Sequence, residues 1–228
     1  MFKSLSIVFA VLLAGAAMLY GAGLYGAGAS ADAVAVPDPV VDAPLAASKG
    51  EQTAVLAGGC FWGVEAVFEH VKGVNSVTSG FAGGGANPAR YDAVSEGTSG
   101  HAESVRISYD PSRITYGQLL KVFFAVAHDP TELNRQGPDT GTQYRSAIFY
   151  ANDEQRRIAE AYVEQLNRAK VFGRRVVTQV SALDAFHPAE SYHQDYLARH
   201  PDEPYIVIND LPKVENLRKR FPQLYVAR

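Results

Sequence analysis

The stretch TAVLAGGCFWGVEAVFEHV, Thr53–Val71, changes its hydrophobic period in the middle. TAVLAG is a short apolar run stopped by Gly58 and Gly59, the pattern of a buried strand. Beyond it, Val64, Val67, Phe68 and Val71 recur at spacings of three and four, the pattern of a helix with one buried face. Cys60, the chain's one cysteine, therefore falls at a strand-to-helix junction.

The residues that follow extend this alternation into a fold. VNSVTSGFAGG (74–84) reads as a second strand, and HAESVRISY (101–109) as a third with period-two alternation. Thr115 and Gln118 form a capping box for a helix carrying Leu119, Leu120, Phe123 and Phe124, which Asp129 and Pro130 close. TQYRSAIFY (142–150) reads as a fourth strand. Asn152 then caps a long helix with Ile158, Ala161, Tyr162 and Leu166, and RRVVTQVSAL (174–183) reads as a fifth strand. The order β-α-β-β-α-β predicts an α+β fold, a two-layer sandwich with a ferredoxin-like core and C-terminal additions.

Composition narrows the class. Of 228 residues, 47% are hydrophobic and 20% charged, so the chain as a whole is globular rather than disordered, collagenous or coiled-coil. The net charge of -3, with signs interspersed, offers no basic stripe for nucleic acid. The densest basic run, Arg218 to Arg220, reads as a solvated helical face. Residues 1–31 have the pattern of an export signal: Lys3, an uncharged run to Ala31, and an A-x-A site at Ala29 and Ala31. The apolar stretch is also nearly long enough to stay in a bilayer as an anchor. Residues 32–50 carry three prolines and no period, and read as a flexible linker to a domain over 51–228. The product is expected to be exported, periplasmic or secreted, and monomeric.

Three features suggest chemistry. A helix start presents unpaired N–H groups and the positive end of the macrodipole, which favour the thiolate of Cys60; a lone cysteine is otherwise a small buried hydrophobe. Phe61 and Trp62, adjacent on a helix, point about 100° apart and cannot both join the stripe of Val64 and Val67. One is free to line a substrate's apolar group, unless both simply pack. In the third strand Glu103 shares the face of Val105, Ile107 and Tyr109. A carboxyl there is either desolvated and held protonated as a proton donor, or frayed into water at the strand start.

GGCFWGVEAVF, SGFAGG, ARYDAVSEGTSGHAESVRISYDP, HDP and GTQYRSAIFY, in this order, closely resemble the peptide methionine sulfoxide reductase A family, from about residue 57 to 197. The resemblance implies reduction of the S epimer of methionine sulfoxide, free or in proteins. It gives Cys60 the role of nucleophile on the sulfoxide sulfur, with Phe61 and Trp62 holding the substrate methyl. Glu103 of GHAE is implied to bond or protonate the sulfoxide oxygen, with Tyr91 and Tyr144 as hydroxyl donors and Asp139 matching the family's aspartate just upstream. Breaking S=O needs a soft nucleophile and protonation of a poor leaving oxygen, which is the chemistry of a thiolate beside a buried acid.

The chain departs from many relatives in having no second cysteine, and its tail resembles that of single-cysteine members. The sulfenic acid left on Cys60 is thus expected to be recycled by an external thiol, a thioredoxin-like protein or a small molecule. Tyr205 lies near an expected pocket tyrosine but in an uncertain register. A thiol peroxidase lacks support because no P-x-x-x-T-x-x-C precedes the thiol, and a scaffold with an incidental cysteine is the other rival. No metal or cofactor is expected: His187, His193 and His200 lie six and seven apart and read as loop or surface residues, and FAGGGANP lacks the end of a P-loop.

Overall fold

A computed structural model describes residues 35–87 and 89–228. The chain order begins β1 (Gln52–Gly58), α1 (Phe61–Glu69), β2 (Val74–Ala82), α2 (Tyr91–Ser95), β3 (Ala102–Tyr109) and α3 (Tyr116–Val122). It continues with β4 (Arg135–Gln136), β5 (Asp139–Thr140), β6 (Ser146–Tyr150), α4 (Asp153–Arg168), β7 (Gln179–Ala182), β8 (Phe186–Pro188), α5 (Tyr196–Arg199) and α6 (Leu211–Arg220). The main sheet has the order β7-β6-β1-β3-β2-β8. β3 pairs antiparallel with both β1 and β2, so those two run parallel with β3 splitting them, and β6 joins the free edge of β1 antiparallel. The class is α+β, as expected.

Alternation decides the two faces. Ala54 and Leu56 of β1 belong to the main core with Phe61, Val64, Val67 and Phe68 of α1, Leu119 and Leu120 of α3, and Ile158, Tyr162 and Leu166 of α4. Val55 and Ala57 face the other way, into a small cluster with Ala147 and Phe149 that Phe186 and Leu183 cover. Burying a side chain of this size is worth about 1.5–3 kcal/mol, so the helical face dominates the stability of the sheet. The predicted capping box forms: Gln118 N–H donates to Thr115 Oγ1 at 3.1 Å and Thr115 N–H to Gln118 Oε1 at 3.0 Å. Asn152 Oδ1 likewise accepts from Gln155 N–H at 2.9 Å.

Several boundaries differ from expectation. TQYRSAIFY is a strand only from Ser146; Thr142–Tyr144 is a 3₁₀ turn, because Gly141 at φ 139° breaks the extended chain and Tyr144 N–H bonds back to its carbonyl. The fifth strand shrinks to Gln179–Ala182, which runs parallel to β6. Ala161 is only half-buried, and Ala159 takes the core position on α4. After α3 the chain makes a π turn, Phe123–Ala127, before Asp129 and Pro130. β8 and the hairpin β4–β5 carry little apolar signal and were not expected at all.

The expected flexible linker needs a larger correction, since its described part docks on the domain. Val36 is buried, Tyr162 donates its hydroxyl to Pro37 O at 2.7 Å, and Gln165 accepts from Val40 N–H at 2.9 Å. Asp38 pairs with Lys121 at 2.6 Å, and Asp42 accepts from the Thr115 hydroxyl and from Gly117 N–H. The absence of a period rules out a regular element but says nothing about single anchoring side chains. The expected export segment, 1–31, lies outside the described residues. Among the described residues no helix is long and apolar enough to cross a membrane.

Candidate active site

Cys60 is itself the N-cap of α1, as the change of period predicts. Gly59, at φ +87°, turns the chain from β1 into the helix, and a Cβ there would lie 2.5 Å from Gln136 Cβ. That contact brings β4–β5 against the junction. Gln136 secures it by accepting from Asp129 N–H at 3.0 Å and donating to Asp129 O at 2.6 Å, and the hairpin then carries Asp139 into the site.

Glu103 stands beside the thiol. It is buried, paired in register with Phe81 across β2, and its Oε2 accepts the Phe61 backbone N–H, one residue past Cys60, at 3.1 Å. Strand parity therefore holds, although Ser104 on the opposite face is buried as well. Burial pushes the Glu103 carboxyl up to about 8; the Phe61 N–H opposes this, and Asp139 and Asp210 add to it. The carboxyl is thus mostly protonated at neutral pH.

The thiol itself departs from expectation. Cys60 is buried, 7% exposed, and its pKa lies well above the ordinary range rather than below it. Burial is the main cause, followed by the carboxyls of Glu103 and Asp210; the Trp62 backbone N–H and Lys213 work the other way. A helix dipole is worth about 0.3–1 kcal/mol at its end, less than the cost of burying a thiolate among carboxyls. The helix start offers the right direction of field but loses on magnitude.

The aromatics divide as their positions on α1 require. Phe61 is fully buried against Phe81 at 5.8 Å and His193 at 5.2 Å. Trp62 is half-buried and stacks on Tyr196 at 3.8 Å, with Tyr205 edge-on at 6.0 Å. Its indole N–H donates to His193 Nδ1 at 3.2 Å. His193, expected on a loop or surface, is 2% exposed, and Tyr91 lies over it at 4.3 Å. Gln194 fixes this loop to the sheet by accepting from Ser79 N–H and donating to Ser79 O, both at 2.9 Å, as a strand neighbour would. A histidine followed by a glutamine that bonds to a sheet edge has no period, and no signal in the sequence reveals it.

Tyr91 and Tyr144 come from α2 and the 3₁₀ turn, which Gln143 joins by donating to Ser95 O at 2.9 Å. Burial first, and Glu103 next, hold both phenols above their ordinary range, Tyr91 at about 12. They are neutral donors at any physiological pH. Tyr205 donates its hydroxyl to Asp139 Oδ2 and lines, with Cys60 and Asp139, a cavity of about 550 Å³. It therefore belongs to the site whose register left it unassigned. Cys60, Phe61, Trp62, Glu103, Tyr91, Tyr144 and Asp139 all converge around the start of α1, whereas the histidine of HDP does structural work: His128 bonds Phe123 O at 3.1 Å and Ser146 Oγ at 2.7 Å, and burial lowers it to about 4. Among the described residues no cluster of three or more metal-ligating side chains is present.

Comparison with known proteins gives the family of the chain as a whole. The family model described as peptide methionine sulfoxide reductase matches residues 52–225. The peptide methionine sulfoxide reductase MsrA 2 of Mesorhizobium japonicum is 58% identical over 179 residues, covering 78% of this chain and 92% of that protein. Its counterpart in Synechocystis is 50% identical over 188 residues, covering 82% and 88%. Among solved structures, methionine sulfoxide reductase A of Corynebacterium diphtheriae superposes with a TM-score of 0.57 at 35% identity, covering 75% of this chain and 89% of that one.

Proposed function

The chain belongs to the peptide methionine sulfoxide reductase family and is an oxidoreductase that reduces methionine sulfoxide, and from that membership we propose how its own residues carry the reaction. Cys60 attacks the sulfur of the S epimer, with the substrate methyl held against Phe61 and Trp62. The sulfoxide oxygen takes its proton from Glu103, while Tyr91 and Tyr144 donate hydrogen bonds to it as negative charge develops. Asp139 acts through Tyr205, whose hydroxyl it holds. The oxygen ends on Cys60: the sulfoxide gains two electrons and becomes methionine, the thiol loses two and becomes a sulfenic acid, and the proton the thiol gives up replaces the one Glu103 donated.

The observation that carries this reading is Glu103, protonated and bonded to the first N–H of the helix that Cys60 caps. A protonated carboxyl serves two ends here. It supplies the proton the leaving oxygen needs, and it spares the buried sulfur a neighbouring negative charge.

With Cys60 the one cysteine, recycling uses an outside thiol. One thiol condenses with the sulfenic acid to a mixed disulfide and water, and a second releases Cys60 and the external disulfide. Lys3, the apolar run from Leu5 to Tyr20 and the small residues ending at Ala29 and Ala31 support export, so that the substrates are oxidised methionines of exported proteins. The test is to incubate the soluble protein with each sulfoxide epimer, with and without dithiothreitol, and to quantify methionine. Turnover of the S epimer alone is expected, falling to one methionine per protein without reductant and to none in Cys60→Ser; equal use of both epimers, or activity in Cys60→Ser, would overturn the proposal.

A further inference from the structure

The C-terminal segment places an ion pair against the helix that Cys60 caps. Asp210 ends the π turn Ile206–Asp210, fully buried, and Lys213 in the first turn of α6 donates to its Oδ1 at 3.0 Å. The pair occupies the space over Gly63, where a Cβ would lie 2.1 Å from Asp210 Oδ1 and 2.9 Å from Lys213 Nζ. Gly63 is three residues beyond Cys60 and therefore on the same side of α1. Glycine at 63 is what lets a charged pair come this close to the thiol.

Two further observations point from the pair to the sulfur. Asp210 Oδ2 is buried with no hydrogen-bond partner among the described residues, so the pair is not a closed, self-satisfied bridge. Lys213 lines the same cavity as Cys60, with its side chain 21% exposed. Arg135 and Arg174 also reach that cavity, but their side chains are half or more exposed and lie near Glu132 and Asp129. The groups around the sulfur are otherwise acids: Glu103 from β3, Asp139 from β5 in the same cavity, Asp210, and the hydroxyls of Tyr91, Tyr144, Tyr196 and Tyr205. A sulfur that must carry negative charge in such a site needs a cation held in place. Burial works against the ammonium of Lys213, but Asp210 first and Cys60 next keep it charged.

We propose that Lys213, held by Asp210 over Gly63, is the positioning cation for the Cys60 thiolate during attack on the sulfoxide. The proposal rests on Cys60 being the nucleophile. It gives the tail of a single-cysteine chain a task in the first half of the reaction, setting the charge on the sulfur rather than resolving it.

The test measures the pH dependence of Cys60 alkylation by iodoacetamide and single-turnover methionine formation in the full chain. Lys213→Met should move the alkylation midpoint up by about one unit and slow single turnover about tenfold at neutral pH, with KM for the sulfoxide unchanged. Lys213→Arg should restore most of the rate. Asp210→Asn keeps an acceptor for Lys213 but removes a negative charge, so its midpoint should move down. Gly63→Ala retains every charge while displacing the pair, and should shift the midpoint in the same direction as Lys213→Met; it carries the test if the methionine variant does not fold. Midpoints of Lys213→Met and Gly63→Ala that coincide with wild type would overturn the proposal. So would Lys213→Met and Asp210→Asn midpoints that move together. Inactive Cys60→Ser alongside an unmoved Lys213→Met profile would discard Lys213 and leave the nucleophile reading standing.

Discussion

Glu103 and Cys60 face each other across a balance that burial sets. Both are desolvated, so both resist charge: the acid keeps its proton up to about 8 and the thiol keeps its own to higher pH still. The rate should therefore fall as pH rises through about 8, where Glu103 ionises and a second negative charge arises beside the sulfur. Glu103→Gln retains a donor without that titration. It should keep about tenfold more kcat than Glu103→Ala and lose the alkaline fall near pH 8, as seen in kcat against pH; equal losses in the two variants would show that no donor is needed there. Strand parity was enough to place Glu103, because a two-residue period is local information. The thiol's environment was not legible, because Asp210 and Lys213 approach Cys60 from some 150 positions away in the chain. Tyr205 and His193 escaped for the same reason, each fixed in the site by a partner from a distant segment.

Elements whose signals are periodic or capped were legible, and those held by side chains were not. α3 and α4 begin where their caps stand, α1 begins where the hydrophobic period changes, β1 follows its apolar run and β3 its alternation. The hairpin β4–β5 and the loop of His193 depend on Gln136 and Gln194, whose amides imitate backbone partners and carry no hydrophobic pattern. Helix α1 carries a strain of its own. Glu65, 1% exposed on its buried side, is pushed to about 8 by burial and then by Glu69 and Asp195, and Glu69 is itself raised to about 7, by burial first and then by Asp195. A carboxyl with a folded pKa above its unfolded value binds protons more tightly when folded, so stability falls as pH rises from about 4.5 toward 8. Glu65→Gln should remove most of that slope and raise stability at pH 8 by about 2 kcal/mol or more. Urea unfolding at pH 5 and pH 8 reads it: the variant should gain far more at pH 8 than at pH 5, and equal gains would mean the carboxyl is not the cause.

At the scale of the molecule, two described segments flank the sheet and its helices, residues 35–51 before β1 and the C-terminal segment. The C-terminal segment brings Tyr205, Asp210 and Lys213 to the reactive end of the sheet, and an isolated bridge between Val71 and Tyr225 anchors its last turn to the far end of α1. The segment before β1 lies away from the site, along α3 and α4. Its principal anchor is Asp42, whose two oxygens accept from the cap residue Thr115 and from Gly117 N–H, adding negative charge to a helix start that already has a capping box. Gly117 makes room for it, since a Cβ there would lie 2.5 Å from the Asp42 carboxyl carbon. Losing a charged acceptor at two donors costs about 1–3 kcal/mol, even at a partly exposed site. Asp42→Ala should thus lower stability to chemical denaturation by about 1–2 kcal/mol and leave kcat and KM for methionine sulfoxide within twofold of wild type, because Asp42 touches no residue of the site. Deleting residues 35–46 should cost more, since it also removes the buried Val36 and the partners of Tyr162, Lys121 and Gln165. Protease digestion separates docking from tethering: a docked segment is cleaved slowly in wild type and faster in Asp42→Ala. Equal, rapid cleavage in both would show a free tether, and the domain would then begin near residue 51, where the linker reading placed it.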